Sequence, residues 1–271
     1  MSCARGGDEK VELNGKVAII TGSGRGIGEA IAKQFAFEGA CVVVNDISEE
    51  RANRVADEIK EKHGEAIAIK ADIAKKTEVR DLVNRTVNRY EAVHILVNNA
   101  GIVRNAPFLE KTEEEWDIVL DIDQKGVFLC TQAVLPHMIT QQYGKIVNIS
   151  SVAGTGTSGT ENMANYAAAK GGVIQLTKVT ARIGAPWGIN VNCIAPGLII
   201  TEALRTIGRG GSSPSDEEFE KFLEAKKGVN LLKFFGKPEN IADLAVFLAS
   251  DYSNYITGQL ICIDGGRTDR L

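Results

Sequence analysis

Seven short runs of apolar, mostly β-branched residues constrain the fold of this chain more than any other feature of its sequence. They alternate with longer segments whose apolar residues have helical spacing. The runs are KVAIIT (16–21), ACVVVN (40–45), AIAIK (66–70), HILVNN (94–99), KIVNIS (145–150), INVNCIAP (189–196) and QLICID (259–264). Runs of Val and Ile without polar alternation are typical of strands in a parallel sheet that is covered on both faces. Repeated β-α units with right-handed crossovers therefore predict an α/β fold built on a doubly wound parallel sheet.

Helices are predicted between these strands, some with clear start signals. Ser48 and Thr112 each precede an acidic first turn, and Thr112 with Glu115 has the pattern of a capping box. The predicted helices cover about 26–38, the segment after Ser48, 77–90, 112–142, the segment around Tyr166, 216–227 and 238–249. No linker is evident, so 1–271 is predicted to form one domain. Within it, 1–14 is predicted to be a flexible tail, and about 198–232, which contains GRGGSSPS, a mobile loop beside the substrate.

Composition and charge argue against several classes of function. The 31 Lys and Arg residues and 35 Asp and Glu residues give a net charge of −4 without any basic block, so nucleic acids and anionic membranes are poor candidate partners. The chain has neither a signal-peptide pattern nor an apolar run long enough to cross a bilayer. Its five cysteines are scattered and its three histidines lack metal-ligand spacing, so no metal and a cytoplasmic location are expected.

A glycine-rich turn, TGSGRGIG (21–28), joins the first strand to the first helix. Its glycines, Gly22, Gly26 and Gly28, let the backbone turn sharply and approach a pyrophosphate at the helix N-terminus. Asp46 ends the second strand, about where a carboxylate accepts hydrogen bonds from an adenosine ribose. Each feature by itself also fits ordinary turn chemistry, in which glycine relieves a tight turn and Asp caps one.

Tyr166 and Lys170 lie one helical turn apart in YAAAK (166–170), so both side chains share a helix face. A free Tyr has a pKa of about 10, and a Lys cation about 4 Å away favours the phenolate enough to bring that pKa near 7. The pair is therefore a candidate acid/base. Taken alone, the spacing is more typical of a helix with a packed Tyr and a solvated Lys, so the rest of the chain has to decide.

In order along the chain, the motifs resemble those of the short-chain dehydrogenase/reductase family from about Lys16 to Gly266. The matching segments are TGSGRGIG (21–28), ADI (71–73), NNAG (98–101), IVNISS (146–151), YAAAK (166–170), NCIAPG (192–197), GKPENIADLAVFLAS (236–250) and ITGQLICIDGG (256–266). The resemblance implies a single-domain Rossmann-type fold of about seven strands with helices on both faces. It also implies a nicotinamide cofactor and a homo-oligomer, either a dimer or a tetramer.

The resemblance assigns roles to residues by position. Tyr166 would be the general acid/base, Lys170 would lower its pKa and bind the nicotinamide ribose, and Ser151 would hold the substrate oxygen. The other positions implied to bind the cofactor are Gly22, Arg25, Gly26, Ile27, Gly28, Asp46, Ile47, Asp72, Ile73, Asn99, Ala100, Gly101, Pro196, Gly197, Ile199 and Thr201.

Two departures from the family pattern bear on the site. DQKGVF (123–128) places Asp123 where the family usually has Asn, at a position that supports a water relay from the active-site Lys. If buried near Lys170, this extra negative charge would stabilise the ammonium and weaken its effect on Tyr166. The segment between Ser151 and Tyr166 is also longer than usual, which indicates a distinct substrate pocket.

The sequence predicts an oxidoreductase that interconverts a secondary alcohol and a ketone, a small-molecule substrate. One alternative is a 3-oxoacyl-thioester reductase, in which Arg205 and Arg209 would meet the phosphates of a carrier arm. Another is a catalytically silent protein that senses dinucleotides, although such proteins commonly lose the Tyr or the Lys. Apolar residues at 198–200 and in LLKFF (231–235) favour a pocket that is partly apolar.

Arg25 and Asp46 favour different cofactors. Arg25 lies inside the glycine turn and could pair with the 2′-phosphate of NADP(H). Asp46 would accept the ribose 2′-hydroxyl of NAD(H) and repel the phosphate, by about 4 kcal/mol per unit charge at 4 Å and an effective dielectric near 20. Asp46 has less freedom to withdraw than Arg25, so NAD(H) is favoured over NADP(H).

Overall fold

Seven parallel strands form one sheet in the computed structural model, which describes residues 12–156, 161–206 and 215–267. The sheet order is β3-β2-β1-β4-β5-β6-β7. The strands are β1 (Val17–Ile20), β2 (Cys41–Asp46), β3 (Glu65–Lys70), β4 (Ile95–Asn98), β5 (Gly144–Ile149), β6 (Ile189–Pro196) and β7 (Leu260–Ile263). The order changes direction between β1 and β4, as in a doubly wound fold. The predicted fold class and all seven predicted strands are therefore confirmed.

Helices cover both faces of this sheet. Those in the described ranges are α1 (Gly26–Phe37), α2 (Glu49–Glu61), α3 (Lys76–Tyr90), α4 (Glu113–Leu120), α5 (Gly126–Gln141), α6 (Ala164–Gly184), α7 (Glu202–Thr206), α8 (Asp216–Lys226) and α9 (Pro238–Ala249). One apolar cluster lies between the sheet and α1, α2 and α9, and a second lies between the sheet and α3 and α5.

Strand β1 shows why the apolar runs lack polar alternation. Ala18 and Ile20 belong to the cluster under α1 and α9, and Ile19 belongs to the cluster under α3 and α5. All three side chains are fully buried. Because successive strand side chains point to opposite faces, a strand between two helical layers needs apolar residues at every position.

A π-helical turn interrupts the long helix predicted at 112–142. Helix α4 begins after Thr112, whose side chain accepts a hydrogen bond from the Glu115 N–H at 3.2 Å, so the predicted capping box is confirmed. The π turn, Asp121–Lys125, separates α4 from α5, and the Gly126 N–H bonds to the Asp121 carbonyl five residues back. Such a turn shifts the phase of the helix, and it is common at functional sites. Here it brings Asp123 into the protein interior.

The packed part of the protein includes residues of the segment 1–14, which was predicted to be a flexible tail. Leu13 is fully buried in the cluster under α1, and its N–H donates to the Glu38 carbonyl at 2.9 Å. The prediction that 1–14 is a flexible tail is therefore wrong for residues 12–14, because the apolar side chain of Leu13 is part of the core. Residues 1–11 lie outside the described residues.

Helical structure occupies much of the segment 198–232, which was predicted to be a mobile loop. Helix α7 and helix α8 lie within it, and α8 begins at a capping box formed by Ser215 and Glu218. Residues 207–214 lie outside the described residues, and mobility of the segment stays a prediction. In the part of the chain that the structure describes, no helix is long and apolar enough to cross a membrane.

Candidate active site

The glycine turn lies where the sheet order changes direction, at the carboxyl ends of β1 and β4. Gly22 and Gly26 have φ values of +62° and +61°, a region that L side chains rarely adopt. A Cβ on Gly22 would lie 2.7 Å from the Cα of Ala100, and a Cβ on Gly28 would collide with the Asn99 amide. The turn and the segment after β4 are therefore in direct contact, and only glycine fits between them.

Asn99 holds this turn in place. Its side-chain amide donates to the carbonyl oxygens of Thr21 and Gly22, each at 3.0 Å. The Thr21 hydroxyl in return accepts the N–H groups of Asn99 and Ala100 at 3.0 and 3.2 Å. The sequence predicted that Asn99 lines the cofactor, but its side chain is engaged in shaping the glycine turn.

A dinucleotide pyrophosphate fits this cradle. No side chain caps the N-terminus of α1, so its first N–H groups are available to an anion. The positive end of the helix dipole lies at the same place. Ile27 and Gly28 lie in the first turn of this helix, and their place beside the phosphates stays a prediction.

The carboxylate of Asp46 is surrounded by donors. One oxygen accepts the Gly24 N–H at 3.1 Å, and the other accepts the Ser48 N–H at 2.9 Å and the Arg51 guanidinium at 2.7 Å. Asp46 is 5% exposed. The sequence did not single out Arg51, although it lies in the first turn of α2, just beyond the Ser48 cap. The negative charge of Asp46 is therefore balanced by the Arg51 guanidinium.

Arg25 points to a different partner. Its guanidinium lies 3.6 Å from the Glu202 carboxylate at the start of α7, and both side chains are largely exposed. An exposed pair of this kind contributes about 0–1 kcal/mol, so it is readily exchanged for another anion. The residue therefore remains a candidate for the adenosine side of a cofactor.

The residues after β2 and β3 differ in how far they reach the surface. Ile47 is 59% exposed, whereas Ile73 is 5% exposed and lies so close to Gly126 of α5 that a Cβ there would be 2.5 Å from it. The Asp72 carboxylate accepts the Ala74 N–H at 3.0 Å and caps the turn after β3. Ile73 is part of the core, and contact of Ile47, Asp72 and Ile73 with the adenine stays a prediction.

The chain after β6 returns to the glycine turn. Pro196 ends the strand, and the Gly197 N–H donates to the Ile263 carbonyl of β7 at 3.0 Å. Ile199 is buried and pairs with Gly236. The Thr201 methyl lies 3.7 Å from where a Cβ on Gly26 would be. The residues predicted to hold the nicotinamide and those predicted to hold the pyrophosphate therefore border one crevice.

Helix α6 carries Tyr166 and Lys170 and is fixed at its start. The Asn165 side-chain oxygen accepts the Tyr166 N–H at 2.9 Å, and its amide nitrogen donates to the Glu115 carbonyl of α4 at 2.8 Å. The Ser150 hydroxyl donates to the Lys170 carbonyl at 2.8 Å, which ties the end of β5 to the same helix.

Ser151, Tyr166 and Lys170 converge as the resemblance predicted. The Ser151 hydroxyl follows β5 and interacts with the Tyr166 hydroxyl. The Lys170 ammonium lies 5.5 Å from the centre of the Tyr166 ring and donates to the Ile149 carbonyl at 3.1 Å. Tyr166 keeps part of its surface accessible, whereas Lys170 is 3% exposed. A hydroxyl pair with a buried ammonium behind it can hold an oxygen and exchange a proton with it.

The direction of the Tyr166 pKa differs from the sequence prediction. Burial raises the pKa of the Tyr166 phenol above its ordinary value, and Asp123 adds to this effect. Lys170 and the hydrogen bond with Ser151 lower the pKa without reversing the shift. The predicted pKa near 7 is therefore not found in the structure, because the sequence showed the spacing of the cation but not the burial of the phenol.

The Asp123 carboxylate lies 3.2 Å from the Lys170 ammonium, so the condition under which the sequence predicted an effect on Lys170 is met. Burial disfavours the Lys170 ammonium, but Asp123 and Tyr166 outweigh burial and hold the pKa of Lys170 above its ordinary value. A Cβ on Gly101 would lie 2.7 Å from the Asp123 carboxylate and 3.1 Å from the Lys170 ammonium. Gly101 therefore leaves room for the ion pair. Within the described ranges, no three His, Cys, Asp or Glu side chains are grouped as metal ligands.

Comparisons with known proteins identify the family and agree with the fold. The family model described as Enoyl-(Acyl carrier protein) reductase matches residues 22–268. The 3-oxoacyl-[acyl-carrier-protein] reductase of Staphylococcus epidermidis is 43% identical over 252 residues, which cover 93% of this chain and 98% of that protein.

Solved structures share the fold over nearly the whole chain. A short-chain type dehydrogenase/reductase from Mycobacterium marinum has a TM-score of 0.87 at 33% identity and covers 96% of this chain and 98% of its own. A gluconate 5-dehydrogenase from Burkholderia cenocepacia J2315, in complex with NADP and tartrate, has a TM-score of 0.85 at 36% identity and covers 95% and 96%. This chain is an oxidoreductase that uses a pyridine nucleotide, and it belongs to the short-chain dehydrogenase/reductase family.

Proposed function

We propose that the protein reduces the ketone of a 3-oxoacyl thioester to a secondary alcohol, with Ser151, Tyr166 and Lys170 as its catalytic residues. The observation that carries the chemistry is the convergence of these three side chains beside the glycine crevice. The substrate class is supported by the 43% identity to a protein named as a 3-oxoacyl-[acyl-carrier-protein] reductase. The sequence offered 3-oxoacyl-thioester reduction as an alternative to a general alcohol dehydrogenase, and this relative makes it the favoured hypothesis.

The chain supplies orientation and a proton. A reduced nicotinamide, when bound, supplies the hydride that adds to the carbonyl carbon. The Ser151 hydroxyl donates a hydrogen bond to the carbonyl oxygen and sets its position. Tyr166 transfers its hydroxyl proton to that oxygen, which completes the alcohol, and its phenolate regains a proton from solvent. Lys170 stabilises the phenolate while it exists.

An apolar surface beside the crevice supports a substrate with an acyl chain. Leu231, Leu232 and Phe234 are 60%, 60% and 58% exposed. They precede Gly236, which pairs with Ile199 in the chain after β6. Exposed apolar residues grouped at the rim of a crevice are typical of binding sites for apolar ligands.

The arginines named for a carrier arm give this proposal no support. The Arg205 guanidinium lies 2.7 Å from the Asp216 carboxylate and 4.6 Å from the centre of the Phe219 ring. Arg205 therefore has partners within the chain, and Arg209 lies outside the described residues. The thioester class rests on the relative and on the apolar rim.

For the cofactor we propose a preference for NAD(H) that is smaller than the sequence indicated. Asp46 still disfavours a 2′-phosphate, but the Arg51 guanidinium at 2.7 Å offsets much of its field. Arg25 adds a second positive charge on the same side of the glycine turn. The solved gluconate 5-dehydrogenase that binds NADP shows that this fold accommodates the phosphorylated cofactor.

We also propose a homo-oligomer in a cytoplasmic location. Phe128 of α5 and Ile183 of α6 are 46% and 50% exposed and line one apolar cavity between these helices, and Val179 of α6 is 49% exposed. Strand β7 is the edge of the sheet and is only half buried. A second copy would cover both surfaces. A single species of monomer mass in sedimentation at micromolar concentration would contradict this assembly.

A substrate panel tests the proposed activity. The purified protein is given NADH or NADPH with an acetoacetyl thioester, simple ketones or 5-ketogluconate, and nicotinamide absorbance is followed. We expect kcat/KM to be at least about tenfold higher for the thioester, a difference of about 1.4 kcal/mol. Preference for the sugar acid would favour a gluconate-type reaction, for which the solved dehydrogenase is the precedent. Binding of cofactor without turnover of any carbonyl would favour the dinucleotide-sensing alternative.

A further inference from the structure

Asp123 is a fully buried carboxylate beside the predicted catalytic lysine, and the activity proposed above does not require it. One of its oxygens accepts the Ile102 N–H at 2.8 Å. The other lies 3.2 Å from the Lys170 ammonium and has no further polar contact in the described residues. The π turn directs this side chain inward, and α6 packs against that turn where Gly172 leaves space for Gln124.

Two neighbouring donors favour the ionised form of Asp123, against the effect of its burial. A protonated carboxyl needs an acceptor for its proton, but one oxygen already accepts an N–H and the other faces an ammonium, which can only donate. Burial raises the pKa of the Asp123 carboxyl above its ordinary value, and the Lys170 ammonium and the Ile102 N–H offset only part of that shift. An ion pair is therefore the arrangement that gives both Asp123 oxygens a positively polarised neighbour, the Ile102 N–H for one and the Lys170 ammonium for the other.

We infer that Asp123 is a positioning residue that cancels part of the Lys170 charge, keeps Tyr166 protonated through the neutral range and so extends reduction to alkaline pH. This inference rests on the proposed function, because only a reductase needs Tyr166 as a proton donor. An asparagine at the same position would keep the contact with the Ile102 N–H and remove the charge. The structure thus assigns this effect on Tyr166 to the charge of one carboxylate.

The other groups around Tyr166 leave Asp123 as the source of negative charge. Ser151, from the segment after β5, is neutral. Cys193 of β6 interacts with Lys170 rather than with Tyr166, and burial raises the pKa of its thiol to about 11, so it is also neutral. Lys170, on the same helix as Tyr166, is the cation. Among the residues that the structure describes, one cation and one anion therefore act on the balance between phenol and phenolate.

The sign of the effect follows from this pair. The Lys170 ammonium favours the phenolate, and the Asp123 carboxylate disfavours it. Removing the carboxylate charge leaves the ammonium unopposed, so Tyr166 loses its proton at lower pH. Reduction needs the phenol, and its efficiency should decline where the phenolate forms.

A titration without cofactor or substrate tests the inference directly. The near-ultraviolet absorbance of phenolate is followed against pH in the unmodified protein and in Tyr166→Phe, and the difference isolates Tyr166. We expect its step above about pH 10, the ordinary value for tyrosine. A step near neutral pH in the unmodified protein would overturn the inference, whether or not any substrate is turned over.

The same titration in Asp123→Asn and Asp121→Asn separates charge at this position from a general effect of the π turn. Asp121 lies two residues away, is half exposed and pairs with Lys125 at 2.9 Å, which makes it a matched control. We expect the Tyr166 step to move about one pH unit or more to lower pH in Asp123→Asn and to stay in place in Asp121→Asn. Equal curves for Asp123→Asn and the unmodified protein would mean that Asp123 carries no charge that Tyr166 senses.

Kinetics supply a second readout with the substrate that proves active. The pH at which kcat/KM for reduction declines on the alkaline side should move in the same direction as the absorbance step. At pH values above this decline, kcat/KM of Asp123→Asn should be about tenfold lower than that of the unmodified protein. Absence of turnover in every variant would refute the proposed function and leave the titration result standing. If Asp123→Asn does not fold, the position of the Tyr166 step in the unmodified protein still decides the inference.

Discussion

Two buried carboxylates stand at opposite ends of the crevice, and each is paired with a basic side chain in a different way. Asp46 accepts two backbone N–H groups as well as Arg51, whose side chain is 38% exposed. Asp123 accepts one backbone N–H and faces Lys170, and both side chains are almost completely buried. The difference indicates that the Asp46–Arg51 pair, which is partly exposed, influences cofactor binding. The buried Asp123–Lys170 pair lies behind Tyr166 and influences proton transfer.

The largest expected effect is the loss of stability when Lys170, the buried base, is removed. Removal of Arg51, the partly exposed base, is the comparison. Lys170→Met leaves an unpaired buried anion and should lower the free energy of unfolding by about 3–5 kcal/mol. Arg51→Met should cost only about 0–1 kcal/mol, because Asp46 keeps two N–H donors and the lost cation is partly solvated. Urea unfolding at neutral pH measures both values.

A double variant and a pH series sharpen this contrast. Adding Asp123→Asn to Lys170→Met removes the unpaired charge and should recover most of the lost stability. In Lys170→Met alone, burial raises the pKa of the Asp123 carboxyl, so the stability loss should shrink as pH falls and the carboxyl takes up a proton. Equal losses for Lys170→Met and Arg51→Met would contradict the proposed difference between the two pairs.

A matched pair of glycine substitutions should separate the two ends by their kinetics. A Cβ on Gly101 would lie 2.7 Å from the Asp123 carboxylate, and a Cβ on Gly24 would lie 2.6 Å from the Asp46 carboxylate. Gly101→Ala should lower kcat about a hundredfold by displacing the ion pair behind Tyr166. Gly24→Ala should mainly raise the KM for the cofactor. Steady-state kinetics with the concentrations of both cofactor and carbonyl substrate varied measure these effects, and circular dichroism checks that each variant folds. A fall in kcat for Gly24→Ala together with a rise in cofactor KM for Gly101→Ala would contradict the assignment.

The smallest expected effects concern the choice of cofactor. Asp46→Ser should raise the efficiency with NADP(H) relative to NAD(H) about tenfold, because a negative charge near the 2′-phosphate is removed. Arg51→Gln should change the ratio in the opposite direction by a similar or smaller factor. The exposed Arg85→Gln, which pairs only loosely with Asp81 at 3.8 Å, serves as a control for loss of surface charge. A fall in the NADP(H) ratio for Asp46→Ser would reverse the proposed role of Asp46.

The sheet was predictable because its signal is local. Each strand is a run of apolar residues without polar alternation, and the structure places all seven predicted runs in one parallel sheet. The π turn was not predictable, because one extra residue in the hydrogen-bond ladder leaves the apolar spacing of 112–142 almost unchanged. Leu13 was missed because a single apolar residue after a polar segment gives no periodic pattern.

The candidate site was predictable where a motif names the residue and less so where packing decides. The resemblance predicted the convergence of Ser151, Tyr166 and Lys170. It did not predict the pairing of Arg51 with Asp46, which depends on the phase of α2 after its cap. The Tyr166 pKa was predicted in the wrong direction, because burial of the phenol depends on contacts that are distant in sequence.

The most direct test of the account is the turnover of Tyr166→Phe with the carbonyl substrate that the panel identifies. The substitution keeps the ring and removes the proton that the account assigns to the carbonyl oxygen. We predict that kcat falls at least about a hundredfold while the dissociation constant of the cofactor, measured by nicotinamide fluorescence, changes little. A Phe variant that retains more than about a tenth of kcat, a loss of less than about 1.4 kcal/mol, would contradict proton transfer by Tyr166.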